Sequence, residues 1–289
     1  MRHAVHAICA IAVLGTAALH AQAVPGLTMK MRLSVDSAGG LASNTTLSME
    51  TAGDRMRMWF NGAGGSPLEG IYVLYDGSAG TMSTVLPASR QVTVTRMEDL
   101  AGGMMPIMKM ALKGDAAIDV ADRGAGDAIL GRATHRYHLS VAYTVTLKLG
   151  DVSCDRVVTQ DEDIWSSADV TLSDGLHRAF RNALGGSFSM LDALKVNTML
   201  HEKIPGLWLR SSGTTTTRLA SGSTETVKGS AELTELAAAP IDPARLVPPK
   251  DFQILDIAAM MANIDPALMA GAVSDATRAK LCGASTGTN

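Results

Sequence analysis

Few residues of this chain have the types and the spacing that an active site requires. His201-Glu202 matches the start of the HExxH zinc motif, but Pro205 stands where the second histidine must follow one helical turn later. The sequence contains no GxSxG nucleophile elbow, and the glycines between 124 and 131 have the wrong spacing for a dinucleotide-binding loop. These patterns predict that the protein is not an enzyme and that it uses no cofactor.

Two groups of residues could still ligate a metal or assist catalysis. His135 and His138 are an odd number of residues apart, so a strand places them on opposite faces and a shared metal is not expected. Asp161 and Asp163 share one strand face and could bind a cation, although a solvated strand edge is the favoured interpretation. A hydrolase would regain support if a Ser or Asp lay beside His135, His138 or His177 in one cleft.

The N-terminal residues have the pattern of a secretory signal peptide. Arg2 supplies a positive charge, Ala4 to Leu19 is mostly apolar, and Ala21-Gln22-Ala23 places small residues where signal peptidase reads them. The apolar stretch is shorter than the roughly 20 residues that a membrane-spanning helix needs. We therefore expect residues 1–23 to be removed, and the protein to be secreted or periplasmic with no stable membrane span.

Composition excludes two further classes of protein. Hydrophobic residues make up 46% of the 289 residues, which is too many for an intrinsically disordered chain. The formal net charge is −3, and no basic stripe is present to neutralise a phosphate backbone, so no nucleic-acid partner is expected.

Cysteine and methionine usage leaves alternatives open. Cys154 and Cys282 remain after signal cleavage, and they form either a disulfide or two separate thiols, since only a structure shows whether their Cα atoms come within about 7 Å. Four of the 17 methionines lie in one segment, Met104, Met105, Met108 and Met110, with no His or Cys to complete a copper site. Flexible methionines fill cores, and a segment opened by Gly102-Gly103 could also cover an apolar cavity.

Strand patterning dominates the rest of the chain. From His135 to Leu149, apolar and polar residues alternate without a change of phase, and Met29 to Asp36 repeats the pattern. Gly, Asp and Ser turns between strand candidates indicate antiparallel neighbours. The other candidates are Thr45 to Met49, Arg55 to Phe60, Gly70 to Tyr75, Gly80 to Leu86, Gln91 to Met97, Cys154 to Trp165, Leu207 to Ser212, Thr214 to Ala220 and Glu225 to Leu236.

Helix signals occur in three segments, Leu176 to Leu184, Ser187 to Glu202 and Asp256 to Ile264. A sheet and helices that each have one apolar face predict a two-layer α+β fold, in which an antiparallel sheet closes over a few helices. No linker divides the chain, so residues 24–264 are predicted to form one domain. Residues 265–289 are predicted to be a loosely ordered C-terminal tail.

Segments between Ala128 and Met261 carry a family resemblance in their order and spacing. They are Ala128-Ile129-Leu130-Gly131 before the long strand, Gly206 to Ser211, Glu232 to Leu236, and Ile241-Asp242-Pro243 followed by Pro249 and Phe252. Together they resemble an exported bacterial family, domain of unknown function 4412, related in fold to the lipoprotein carrier LolA and the lipid-binding LppX. The resemblance implies a LolA-like half-barrel, a strongly curved antiparallel sheet wrapped around a few helices with a hydrophobic cavity between them. Thr134 stands where many relatives carry Cys, so no disulfide is carried over.

These observations lead us to expect a non-enzymatic binder or carrier of a hydrophobic ligand, such as a lipid or a lipoprotein acyl chain. By strand face and segment, the predicted cavity-lining residues are Met31, Leu33, Met104, Met108, Leu139, Val141 and Tyr143. The alternative is an envelope interaction or scaffold module, with a packed core and a protein partner on its outer surface. A continuous apolar cavity would favour the carrier over the scaffold.

Overall fold

The computed structural model describes residues 23–37, 43–61, 70–96, 108–149, 152–170, 172–173, 176, 203–256 and 282. About 70% of these residues lie in strands. In chain order the strands are β1 (Val24–Ser37), β2 (Ser43–Ala52), β3 (Arg55–Asn61), β4 (Tyr72–Asp76), β5 (Thr81–Leu86), β6 (Gln91–Arg96), β7 (Met108–Leu112), β8 (Ala117–Ala125), β9 (His135–Leu149), β10 (Val152–Ser167), β11 (Leu207–Arg218), β12 (Thr224–Ile241) and β13 (Gln253–Asp256).

All of these strands belong to one sheet that does not close on itself. The order is β13-β6-β5-β4-β3-β2-β1-β12-β11-β10-β9-β7, and β8 pairs with the first part of β9 beside β7. Neighbours are antiparallel except β13 and β6. Short turns make this possible, as between β2 and β3, where Gly53 adopts a positive φ of 59° that a larger side chain would disfavour.

The predicted α+β class is wrong for the described structure, which is nearly all β. Besides the strands it contains two short 3-10 helices, Pro87–Ser89 and Pro243–Leu246. Asp256, predicted to cap a helix that begins at Ile257, is the last residue of β13, which pairs with β6, and the helix predicted after it lies outside the described residues. The other residues of the three predicted helices lie outside the described residues, apart from Leu176. Leu176, which packs on the sheet, is helical, but no complete α-helix lies among the described residues, so helices do not define the class there.

Of the residues that the structure describes, none form a helix with the length and apolar character needed to cross a lipid bilayer.

The long alternating strand is confirmed. Strand β9 runs from His135 to Leu149 without interruption and pairs along its whole length with β10. Leu139, Tyr143 and Leu147 are all buried. Burying large apolar side chains at alternate positions stabilises a strand by roughly 1.5 to 3 kcal/mol for each of them.

Two apolar clusters lie on the same face of the sheet, which we call the apolar face. One centres on β1 to β3, and Val170, Leu172 and Leu176 pack against it. The other centres on β9 and β10, and Ile204 packs against it. The opposite side, the polar face, carries ion pairs and one small cluster of Leu74, Val85 and Val92, beside which Phe252 packs.

A disulfide joins Cys154 in β10 to Cys282, with Cα atoms 5.7 Å apart. The open choice between a bridge and two thiols is therefore resolved in favour of the bridge. It attaches residue 282, within the tail predicted to be loosely ordered, to the apolar face beside Leu147, with which Cys154 pairs across the strands.

Candidate ligand-binding face

A row of methionines crosses three neighbouring strands on the apolar face. Met49 lies between Met29 of β1 and Met58 of β3 in the register of the strands. Met31 and Met56 occupy adjacent rows on the same side, and both are buried. The thioether side chain is unbranched and flexible, so such a row can adapt to irregular apolar shapes. Of these five residues only Met31 was a predicted lining residue, and the missed signal was methionine at alternate positions in consecutive strand candidates.

The predicted lining residues of β9 lie together on the same face. Leu139, Val141 and Tyr143 are no more than 4% exposed. Burial raises the pKa of the Tyr143 hydroxyl. These three side chains belong to the second cluster. Met31 and Leu33 contribute to the first, so the sheet brings the predicted residues to one face but not into one cluster.

Part of the methionine-rich segment lies in a strand, and its role as a cover stays a prediction. Met108 begins edge strand β7 and pairs with Leu149, and Met110 pairs with Leu147. Met104 lies outside the described residues.

A polar trio interrupts the apolar face between β9 and β11. Glu162 and Gln160 of β10 and Ser211 of β11 are at most 7% exposed. Gln160 Nε2 donates to Glu162 Oε2 over 3.0 Å, and the Ser211 side chain also hydrogen-bonds to this carboxyl group. Burial raises the pKa of Glu162 well above its ordinary range, and the negative charge of Asp163 acts in the same direction. This arrangement favours the neutral acid at a place where a carboxylate would be costly.

The acidic run therefore divides between the two faces of β10. Asp161 is solvated on the polar face, although β10 is an internal strand and not the strand edge that was predicted, whereas Glu162 is buried on the apolar face. The sequence already contained this signal, because Glu162 is an even number of residues from Val158 and Ile164, and a strand places all three on one face.

Beside Glu162, two neighbouring strands each carry a glycine on the apolar face, and we call these two residues, Gly213 and Gly229, the glycine row. Gly213 of β11 pairs with Glu162, Gly229 of β12 pairs with Gly213, and Val35 of β1 pairs with Gly229. A Cβ atom at Gly213 would lie 2.5 Å from the Asp161 carbonyl oxygen, so only glycine allows this close approach. At the far end of this glycine row Val35 is 41% exposed, which shows that the apolar face opens to solvent there.

The polar face is a network of charged side chains. Glu232 accepts hydrogen bonds from Arg32 at 2.7 Å and from Arg210 at 2.9 Å. The bond from Arg210 holds the pKa of Glu232 below its ordinary range, despite partial burial. Arg136 and Arg210 also lie over the ring of Trp165, at 5.1 and 5.3 Å from its centre. Several partly exposed charges that share partners keep this face solvated and ordered.

The histidines form separate pairs with carboxylates. His135 Nε2 lies 2.5 Å from Asp122 Oδ1, and His138 Nδ1 lies 3.1 Å from Asp163 Oδ1. An Asp is thus beside His135 and beside His138, but on a strand surface, and His177 lies outside the described residues. The hydroxyl of Ser140, two residues after His138, donates to Asp161 and not to a histidine. Within the described part of the chain, no group of three or more His, Cys, Asp or Glu residues could hold a metal ion.

Comparison with known proteins gives distant structural neighbours only. No family model and no curated protein matches the chain, so the resemblance to domain of unknown function 4412 stays a prediction. An uncharacterised conserved protein from Thermus thermophilus aligns at 10% identity and a TM-score of 0.34, covering 79% of this chain and 90% of its own. A LolA superfamily protein from Nitrosomonas europaea aligns at 8% identity and a TM-score of 0.30, covering 77% and 90%.

A third neighbour, PNGF-II, aligns at 10% identity and a TM-score of 0.34, covering 82% of this chain but 32% of its own. TM-scores this low do not place the chain in a fold family.

Proposed function

We propose that this protein is an exported, non-enzymatic binder or carrier of a hydrophobic ligand, a lipid or an acyl chain, held on the apolar face of the sheet. The methionine row of β1 to β3 is the observation that carries the proposal. Met29, Met31, Met49 and Met56 line adjacent rows of one face, which is an unusual concentration of the most adaptable apolar side chain. Surfaces of this composition suit ligands of variable shape better than one rigid partner.

The opening of the same face supports ligand access. Leu33, which packs against the first cluster, is half-buried, and Val35, two residues further along β1, is exposed. An acyl chain that entered past these residues would reach apolar side chains without crossing the charged network, because that network lies on the other side of the sheet.

The scaffold alternative also has one observation in its favour. Met29, Met31, Met49 and Met56 are at most 1% exposed, as expected for a core that is already packed. In that case the solvated network around Glu232 and Trp165 would be the surface that meets a partner.

Native mass spectrometry of the protein recovered from a bacterial periplasm tests the carrier function directly. We expect co-purified lipid, and uptake of the apolar fluorophore N-phenyl-1-naphthylamine after delipidation. If the protein contains no co-purified lipid and also takes up no probe, the carrier function is refuted and the scaffold is favoured.

Leu33→Asn and Ser34→Asn are matched variants, because the two residues are neighbours on opposite faces of β1 and both are half-buried. Uptake should fall in Leu33→Asn and persist in Ser34→Asn, with circular dichroism confirming that both are folded. Equal uptake by the two variants would contradict binding on the apolar face.

A further inference from the structure

The polar trio is an unusual component of an apolar face because it leaves hydrogen-bonding capacity unused. Gln160 is 6% exposed, and its Oε1 atom has no hydrogen-bond partner in the described structure. Its amide group donates to Glu162, which fixes the orientation of Oε1 as a free acceptor. An orphaned buried acceptor is energetically costly, so a bound group that donates a hydrogen bond to it removes that cost.

We infer that the glycine row seats the polar head of an amphiphile, and that hydrogen-bond donors of this head, an ammonium group above all, bind Glu162 and Gln160. This inference rests on the proposed function, since it assigns the head group of a ligand whose chain lies on the apolar face.

The chemistry of the trio selects a donor head group. The free atoms are acceptors: Gln160 Oε1 and the remaining lone pairs of the Glu162 carboxyl group. Asp163 is the charge that acts on Glu162 most, and it has the same sign. A primary ammonium has three donors and a positive charge that would favour the ionised form of Glu162, whereas a carboxylate head has no donor to offer to Gln160 Oε1.

The Gly229 end of the glycine row gives such a head room to lie against the backbone, whereas at Gly213 the backbone of β10 fills the place of a side chain. Gly213 and Gly229 carry no side chain between Glu162 and Val35, while Ser211 and Ala231 form the neighbouring row of β11 and β12 on the same face. A Cβ atom at Gly229 would meet only the Ser34 carbonyl oxygen, at 3.8 Å, so this position has free space above the sheet. The row ends at Val35, which is exposed, so a ligand can approach it from this end.

A head-group series at constant chain length tests the assignment. Dodecylammonium, dodecanol and dodecanoate would compete with N-phenyl-1-naphthylamine for the purified protein at neutral pH. We expect dodecylammonium to bind about tenfold more tightly than dodecanoate, the gain of one charge-assisted hydrogen bond, with dodecanol between them. Equal affinities for the three ligands would overturn the assignment.

Glu162→Gln and Asp161→Asn separate recognition by the trio from the net charge of the protein. Both variants remove one carboxyl group from adjacent residues, but Asp161 lies exposed on the polar face. We expect Glu162→Gln to bring the amine and carboxylate affinities within about twofold of each other, and Asp161→Asn to keep the preference. A similar loss in both variants would show that bulk charge causes the preference and would overturn the inference.

Gly229→Val tests the seat independently. A β-branched residue fits a strand and meets no backbone clash here, so the fold should persist while its side chain occupies the glycine row. All three ligands should bind more weakly, and unchanged affinities would refute this seat.

The outcomes also separate this inference from the proposed function. If neither the probe nor any dodecyl ligand binds, the carrier function itself fails. If all three ligands displace the probe equally from the wild type and from Glu162→Gln, hydrophobic binding stands and the head-group site is refuted.

Discussion

The disulfide between Cys154 and Cys282 offers the sharpest test of how the C-terminal part of the chain is held. Cys154 is 8% exposed on the apolar face, and its partner lies 128 residues further along the chain. The perturbation is the double variant Cys154→Ala/Cys282→Ala. Alanine differs from cysteine only in lacking the sulfur atom, so the core loses little packing besides the covalent link.

The expected effect follows from the length of the closed loop. A cross-link spanning 128 residues removes chain entropy from the unfolded state worth about 5 kcal/mol at room temperature, on the loop-entropy model. For a domain of this size, each kcal/mol shifts the melting temperature by about 2 to 4 °C, so the Tm should fall by about 10 to 20 °C. Relaxation in the native state makes these values upper estimates.

Guanidinium unfolding followed by circular dichroism, with and without a reductant, measures the loss. The single variants Cys154→Ala and Cys282→Ala should match the double variant, because either one abolishes the bridge, and reductant should destabilise only the wild type. A loss below about 1 kcal/mol would refute the reasoning, since it would mean that the link does not restrict the unfolded chain.

Two further predictions concern the apolar face. Leu139→Ala should lower the free energy of unfolding by about 2 to 5 kcal/mol, because Leu139 is fully buried. Ala142→Ser should change it by less than about 0.5 kcal/mol, because Ala142 is exposed on the same strand. Equal effects in chemical denaturation would contradict the assignment of the two faces. The raised pKa of Glu162 means that its folded form keeps a proton that the unfolded chain has already lost. Wild-type stability should therefore fall as pH rises from the unfolded carboxyl pKa through the folded one, and Glu162→Gln should abolish this loss. The stability of Glu162→Gln relative to the wild type should then rise by up to about 1.4 kcal/mol per pH unit in that window and stay constant below it, and a pH-independent difference would exclude a shifted carboxyl.

Local sequence patterns predicted strands correctly where regular alternation shows which face of the strand each side chain occupies. The strict alternation from His135 to Leu149 predicted β9 with its correct ends, because a one-residue slip would move every apolar side chain to the solvent. In contrast, β8 was not predicted, since Ala117–Ala125 carries Asp and Gly residues and lacks clean alternation. It is a strand because it lies along the edge of β9.

The fold class was mispredicted because an apolar strand face shows that it must be covered, but not whether a helix, a strand or an irregular segment covers it. Period-two alternation correctly indicated that the apolar side chains of β1 and β9 must be buried. It did not indicate that all strands would join one open sheet, or that irregular residues such as Val170 and Leu172 would pack against it.

The candidate site shows the same division. From the amino-acid sequence alone come the two periodic strands, the excess of methionine and the pair of cysteines, since each depends on composition or on neighbours a few residues apart. The placement of Glu162 beside Gly213, the alignment of Met29 with Met49 and Met58, and the ion pair between Arg32 and Glu232, 200 residues apart, depend on strand register. Register between distant strands is set by the combined packing and hydrogen bonding of the whole sheet, and so it was decided only in the tertiary structure.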